Sequence, residues 1–275
     1  MTAVSAYVPC YNNAATVCQA LRSLQAQRVP VDELCLVDDG SSDGSRAIAM
    51  HMGVPVVELE RNMGRGAVRS AAIDRAQHEL VISCDATNQL PVDFLQRALP
   101  WFADPQVAGV FGRIWQNQAS SLADRWRGRH LFKVQERYAL QHGALLSTYG
   151  CVLRRSALLE VGNFDRSLRH SEDGDLGRRL LAAGFDVIFD PSLHVITCTS
   201  NTKRQVLERY WRWNAGAHEH VSLRGYAKQV LYSVRVMVVQ DLRDGDLPAI
   251  SLSLLCPHYQ FWKSWCRRYL RQLQL

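Results

Sequence analysis

Paired cysteines are the first thing this sequence lacks. Its eight (Cys10, Cys18, Cys35, Cys84, Cys151, Cys198, Cys256 and Cys266) are scattered, with no Cys-x-x-Cys and no histidine at a partnering spacing. That pattern argues against a zinc site and, at 275 residues, against a disulfide framework. Cys35 and Cys84 lie inside apolar runs, where a thiol serves as a small buried hydrophobe. Long apolar runs are missing as well. None reaches the roughly 18 residues that a spanning helix needs. The best segments, 230–240 and 247–256, are short, and Arg235 interrupts the first. The opening residues show no basic region followed by an apolar stretch, so no signal peptide is expected. A reduced, cytoplasmic protein is the expectation, with a peripheral position at the inner face of a membrane as its variant. There is no internal repeat and no low-complexity linker.

What remains is ordinary globular composition, 47% hydrophobic, and long enough to bury a real core. The formal charge of +6 is unevenly spread. Residues 201–275 carry 12 Lys/Arg against 5 Asp/Glu, whereas residues 1–200 carry 20 against 21. The basic quarter suits an anionic membrane surface or a phosphorylated ligand, and a solvated helical face explains it equally well. No nucleic-acid partner is expected.

Strand and helix periods alternate four times in the first 85 residues. Residues 5–9, 34–37, 54–59 and 80–84 read as strands, and 14–27, 45–52 and 64–75 as helices. Connections this short predict an α/β fold, a mostly parallel sheet with helices on both faces. Ligands bind such sheets beyond the carboxyl ends of the strands. Further along, 107–114 reads as a strand, 124–141 as a helix, 145–153 as a strand turning into 156–161, 172–183 as a helix, and 185–189 as a strand stopped by Pro191. After Asn201 the period is helical. The chain is expected to form a domain over 1–200 with a helical C-terminal extension over 201–275.

Polar turns close the strands. Asp38 and Asp39 stand in Leu36-Val-Asp-Asp-Gly-Ser-Ser-Asp43, where a carboxylate at a strand end can accept a nucleobase N–H, and Asp39 is the candidate. Pro9, Tyr11 and Asn13, in Val8-Pro-Cys-Tyr-Asn-Asn13, offer an aromatic face and an amide. A plain strand-to-helix turn with an Asn cap is the alternative. Three acids, Glu172, Asp173 and Asp175, open a helix, which the positive helix end favours without any further role.

Together with Asn62-Met-Gly-Arg-Gly-Ala-Val-Arg69, Asp85-Ala-Thr-Asn88 and Ser171-Glu-Asp-Gly-Asp-Leu176, these segments resemble family 2 glycosyltransferases in order and spacing over residues 3–200. The resemblance implies the Rossmann-like GT-A fold, a nucleotide-diphospho-sugar donor, a glycan or lipid-linked acceptor, and inversion at the anomeric carbon. It implies that Tyr11 and Asp39 contact the base, that Arg69 reaches the diphosphate with Asp85 beside it, and that Asp173 is the catalytic base. An inverting transfer needs one base on the acceptor hydroxyl, opposite the leaving diphosphate. Glu172 and Asp175 would orient that base, cap the helix or bind acceptor. Arg209-Tyr-Trp-Arg-Trp213 resembles the Gln-x-x-Arg-Trp motif of processive members, so Arg209, Arg212 and Trp213 are candidates for acceptor or diphosphate; packing on the fold is the alternative. A glycine- and lysine-rich phosphate loop is missing near the N-terminus, which ranks a nucleotidyltransferase last.

One departure stands out. The family's Asp-x-Asp, whose last carboxylate holds Mg²⁺ or Mn²⁺, is Asp85-Ala86-Thr87 here. The family's histidine ligand falls on Thr197 counted from Pro191, with His194 three residues out of register. Asp85 is the candidate ligand that remains. Weak metal binding through Asp85, charge neutralisation by arginines, and a catalytically impaired sugar-nucleotide-binding or scaffold protein are the three readings this leaves. The final stretch, 259–271, mixes aromatics with cations as interfacial helices do.

Overall fold

The computed structural model describes residues 2–116, 119, 121–215 and 221–272, except for the side chains at 215 and 268–272. The chain forms two compact units, Met1–Trp115 with Arg137–Thr199, and Gln116–Glu136 with Ser200–Leu275. The change of unit at Thr199/Ser200 lies one residue from the division expected at 200/201. Gln116–Glu136 departs from that expectation by joining the second unit. Trp126 packs there with Val206, Tyr210 and Cys256, and the Asp124 carboxylate accepts the N–H of Asn201 at 2.9 Å.

The first unit is a mixed eight-stranded sheet. Its strands are β1 (Val4–Cys10), β2 (Glu33–Asp38), β3 (Val56–Glu58), β4 (Leu80–Cys84), β5 (Asn88–Gln89), β6 (Val107–Trp115), β7 (Gly150–Arg154) and β8 (Asp186–Thr197). Their spatial order is β3-β2-β1-β4-β7-β6-β8-β5. The four strands read most directly from sequence pair in parallel, as does β6 with β8. By contrast β7 runs antiparallel to both neighbours, and β5 to β8. Helices α1 (Val17–Gln25), α2 (Ser45–His51), α3 (Arg65–Arg75), α4 (Phe94–Ala98), α6 (Arg155–Glu160) and α7 (Glu172–Ala182) belong to this unit, and α5 (Leu122–His130) to the other. Alternation along each strand splits the buried residues into two cores. Val4, Ala6 and Val8 of β1 face Val17, Leu21 and Leu24 of α1; Tyr7 of the same strand faces Val68, Ala72 and Ile73 of α3. Both faces are therefore covered by helices, as short apolar strands require.

Three local expectations change. The helix expected over 124–141 covers Leu122–His130 and ends before Lys133, whose φ is +48°. The strand expected over 145–153 is confined to Gly150–Arg154. The strand expected to stop at Pro191 runs on to Thr197. Pro191 falls where the β6–β8 register slips, from Phe111–Phe189 to Arg113–His194, and a residue without an N–H is tolerated at such an irregularity.

The second unit contains α5, α8 (Lys203–Ala215), α9 (Leu223–Tyr232), a π-helical stretch (Ser233–Val238), α10 (Val239–Arg243) and α11 (Ile250–Gln272). Trp126, Tyr210, Met237, Leu252 and Cys256 form its core. Arg129 bridges Asp241 at 2.6 Å and Asp246 at 3.2 Å within it.

The slip between β6 and β8 depends on Gly112. A Cβ there would stand 2.2 Å from the Leu193 carbonyl oxygen. Gly112→Ala is expected to lower stability by about 1–3 kcal/mol, as overpacking does, read as a reduced urea midpoint with unchanged m-value.

Candidate active site

The chain leaves β1 toward β2 and β3 on one side of the sheet, and β4 pairs on the other side of β1. This is the switch point where open α/β sheets bind ligands. Two turns meet above it. The Asn12 N–H donates to Ser41 Oγ and the Ser42 N–H to Asn12 Oδ1, each at 2.9 Å. The Asn13 N–H donates to Ser45 Oγ, also at 2.9 Å. This lacing leaves Tyr11 exposed (48%), with Pro9 and Asn13 half-buried beside it. Asp39 is buried and accepts from the N–H of Met63 at 2.6 Å, the N–H of Gly64 at 3.0 Å and Asn62 Nδ2 at 3.0 Å. Burial raises its pKa, and those backbone donors partly offset the rise.

Arg69 of α3 lies beneath this region, 2% exposed. Its Nη2 donates to Asp85 at 2.7 Å, its Nε to Glu172 at 3.0 Å, and its Nη1 to Ser83 Oγ at 3.0 Å and Tyr7 Oη at 3.4 Å. The guanidinium thus faces carboxylates and hydroxyls within the fold, and Asp85 is the half-buried member of that set. Burial opposes the charge on Arg69, yet Asp85, Tyr7 and Glu172 hold its proton well above the usual arginine range. Tyr7 and Ser83 sit opposite each other in the β1–β4 register. They were missed in the sequence because each occupies an apolar strand; two polar residues at one register, on the face covered by α3, are the signal that could have found them.

Helix α7 begins at Glu172, after Ser171 in the left-handed region (φ +63°). Glu172 is 1% exposed; one carboxylate oxygen meets Arg69, and the other has no hydrogen-bond partner among the described residues. Asp173 is half-buried and accepts the Gly174 N–H at 2.8 Å. Burial, and then the Glu172 charge, raise its pKa to about 6. That range suits a general base at neutral pH. Asp175 is instead held by Arg179 Nη2 at 2.8 Å on its own helix. The approach to α7 is fixed by Gly66, whose N–H donates to the Leu168 carbonyl at 2.9 Å. A Cβ on Gly66 would fall 2.0 Å from the Asp165 carbonyl oxygen. Arg169 Nη1 reaches back to the Asn62 carbonyl at 3.1 Å. Residues more than 100 positions apart, Asn62 and Arg69 on one side and Arg169 and Glu172 on the other, therefore form one cluster.

Residues 5–162 match the family described as glycosyl transferase family 2. The chain belongs to that family. An N-acetylglucosaminyltransferase of Mesorhizobium japonicum is 26% identical over 275 residues, covering 91% of this chain and 63% of that protein. An undecaprenyl-phosphate 4-deoxy-4-formamido-L-arabinose transferase of Pseudomonas paraeruginosa is 34% identical over 169 residues, 58% of this chain and 48% of its own length. The chain thus spans roughly half to under two thirds of these curated relatives. Among solved structures, a mannosyltransferase from Pyrobaculum calidifontis in complex with GDP-Man and Mn²⁺ superposes with a TM-score of 0.62 at 17% identity, covering 94% of this chain and 84% of that one. The fold is GT-A, a mixed sheet flanked by helices. Asp173 lies beyond the matched residues.

The family 2 assignment sharpens the question of the metal. Thr87 and Thr197, at the places of the family's carboxylate and histidine, are brought together: Asn88 pairs with Thr197, and the Cys198 N–H donates to the Thr87 carbonyl at 2.8 Å. His194 stacks on Trp115 instead, with centroids 5.4 Å apart. Asp85 is already bridged to Arg69. Among the described residues no group of three or more His, Cys, Asp and Glu is placed to hold a metal ion. Hydroxyls are weak ligands for a hard dication beside carboxylates, so the residues present do not fit a protein-held Mg²⁺ or Mn²⁺. Arg209, Arg212 and Trp213 belong to α8 in the second unit. There Arg209 lies over the Phe132 ring at 5.7 Å, and Trp213 is 46% exposed, 5.9 Å from the same ring.

Removing one partner of a buried ion pair leaves an uncompensated charge. Arg69→Leu should therefore destabilise the family 2 fold by about 3–5 kcal/mol, measured by chemical denaturation. Arg179→Leu, which breaks a half-exposed pair on α7, should cost well under half of that.

Proposed function

We propose that this chain is an inverting glycosyltransferase that moves a sugar from a nucleotide-diphosphate donor to an acceptor hydroxyl in glycan or polysaccharide biosynthesis. The observation that carries this reading is Asp173, a carboxylate with its pKa raised to about 6, beside Glu172 that shares the Arg69 guanidinium with Asp85. Family membership and the names of the glycosyltransferase relatives support the reaction class.

In this reading the acceptor oxygen attacks the anomeric carbon while Asp173 takes its proton. The bond from that carbon to the diphosphate oxygen breaks, and the leaving diphosphate keeps the electron pair. Attack opposite the leaving group inverts the centre. Tyr11 stacks the donor base, and Asp39 accepts its N–H while holding the 62–64 turn. Pro9 and Asn13 complete that platform. Arg69 acts through its partners: it fixes Asp85 toward the donor and Glu172 beside the base. A lipid-linked acceptor is supported by the relative named as an undecaprenyl-phosphate transferase. Arg209, Arg212 and Trp213, on α8, are further candidates for contact with acceptor or diphosphate.

The hydroxyls at Thr87 and Thr197 favour one refinement, donor binding that does not need a protein-held dication. They also favour the second reading, a sugar-nucleotide-binding protein that has lost transfer. The base separates the two. Asp173→Asn should abolish transfer while leaving donor affinity within about three-fold, and wild-type kcat/KM should rise with pH through about 6 and then level, as the base loses its proton. A wild type as inert as Asp173→Asn, with donor still bound, would sink the enzyme reading. For the metal, calorimetric affinity for a panel of UDP- and GDP-sugars should change less than about ten-fold between EDTA and Mn²⁺, a difference of about 1.4 kcal/mol. A larger dependence would return Asp85 to the role of metal ligand.

A further inference from the structure

The second unit carries a surface that glycosyl transfer does not account for. Residues 116–136 and 200–275 hold sixteen Lys/Arg against seven Asp/Glu. The acids cluster away from two of its helices: no Asp or Glu occurs from Leu223 to Gln240 or from Leu247 onward. On α11, Leu254, Leu255, Trp262 and Trp265 are 42–60% exposed. At 3.6 residues per turn they fall within an arc of about 100°. The opposite side of α11 is buried through Leu252, Cys256, Gln260 and Ser264. The interfacial character read from residues 259–271 is thus divided by the fold. Lys263 turns inward to Glu208 at 2.8 Å and Arg267 lies over the Trp211 ring at 4.6 Å, while the two tryptophans face out. The side chains of 268–271 lie outside the described residues.

Helix α9 packs beside α11, with Tyr226 and Phe261 rings 4.6 Å apart, and in the π-helical stretch that follows α9 Ser233 Oγ donates to the Ser253 carbonyl at 2.6 Å. The exposed positions of α9 and of that stretch alternate in kind. Leu223, Leu231 and Val234 present apolar surface (47–74% exposed), and Arg224, Lys228 and Arg235 are exposed alongside them. No helix among the described residues is long and apolar enough to cross a membrane.

We propose that the helical second unit docks in the plane of an anionic lipid bilayer, with Trp262 and Trp265 of α11, Leu231 of α9 and Val234 of the π-helical stretch entering the headgroup boundary and Arg224, Lys228 and Arg235 meeting the lipid phosphates. Half-exposed tryptophans with leucines, flanked by cations and free of acids, are the chemistry of interfacial helices. Charge selects this occupant over a second copy of the chain, because pairing the same face would set its cations against one another. The inference stands apart from the transferase reading.

The test is sedimentation of the full chain with phosphatidylcholine vesicles, with and without phosphatidylglycerol. Binding is expected only to the anionic vesicles and should weaken as salt rises. Trp262→Ser with Trp265→Ser, and separately Arg224→Glu with Lys228→Glu and Arg235→Glu, should each reduce vesicle partitioning at least about ten-fold. Both variants should keep the wild-type melting temperature and nucleotide-sugar affinity, which separates this outcome from misfolding and from failure of the transferase reading. No sedimentation, equal sedimentation with neutral vesicles, or unchanged partitioning in both folded variants would overturn the proposal. So would a tryptophan-dependent dimer in light scattering without vesicle binding, which assigns the face to a second copy.

Discussion

The interaction on which the first unit most depends is the buried bridge from Arg69 to Asp85 and Glu172. An arginine 2% exposed is tolerable only with its charge and donors matched, and here two carboxylates, a serine and a tyrosine do so. The three charged members come from separate parts of the fold: α3, the end of β4, and the start of α7. Each fixes the others. Glu172 keeps one oxygen without a partner, and its negative charge is the second cause, after burial, of the raised Asp173 pKa. The raised pKa of Asp173 is therefore partly set by a neighbour that Arg69 holds in place.

Backbone contact carries the same coupling. Gly66 lets α3 approach the 165–168 turn more closely than any side chain permits, and Arg169 closes the gap by reaching Asn62. Asn62 in turn donates to Asp39. A chain of hydrogen bonds thus runs from the base-binding candidate Asp39, through the 62–64 turn, to the segment that leads into α7. Displacing one end of such a chain shifts the groups next to it, because Asn62 is held at once by Asp39 and by Arg169.

The sequence was legible where structure is local. The first four strands and the helices between them were read to within a few residues, because short apolar strands and amphipathic helices declare themselves by period. The antiparallel insertion of β7 and the passage of β8 through Pro191 were not read, since both depend on pairing with β6. The candidate site divides the same way. The motifs were visible as turns at strand ends, whereas the burial of Arg69 and its contacts to Tyr7 and Ser83 required the β1–β4 register and the packing of α3. The meeting of Thr87 with the end of β8 is likewise a product of strand pairing.

That meeting bears on how charge is balanced in the crevice. In a site that holds a dication, carboxylates are left free on the crevice side and the ion neutralises them. Here the one carboxylate at the end of β4 is neutralised from within by Arg69, and hydroxyls stand at the neighbouring positions. A donor diphosphate entering such a crevice meets less negative protein charge than two unpaired carboxylates would present. Pairing Asp85 from behind, Arg69 removes repulsion at its source. The replacement of the second carboxylate by Thr87 and the burial of Arg69 are thus two parts of one electrostatic arrangement.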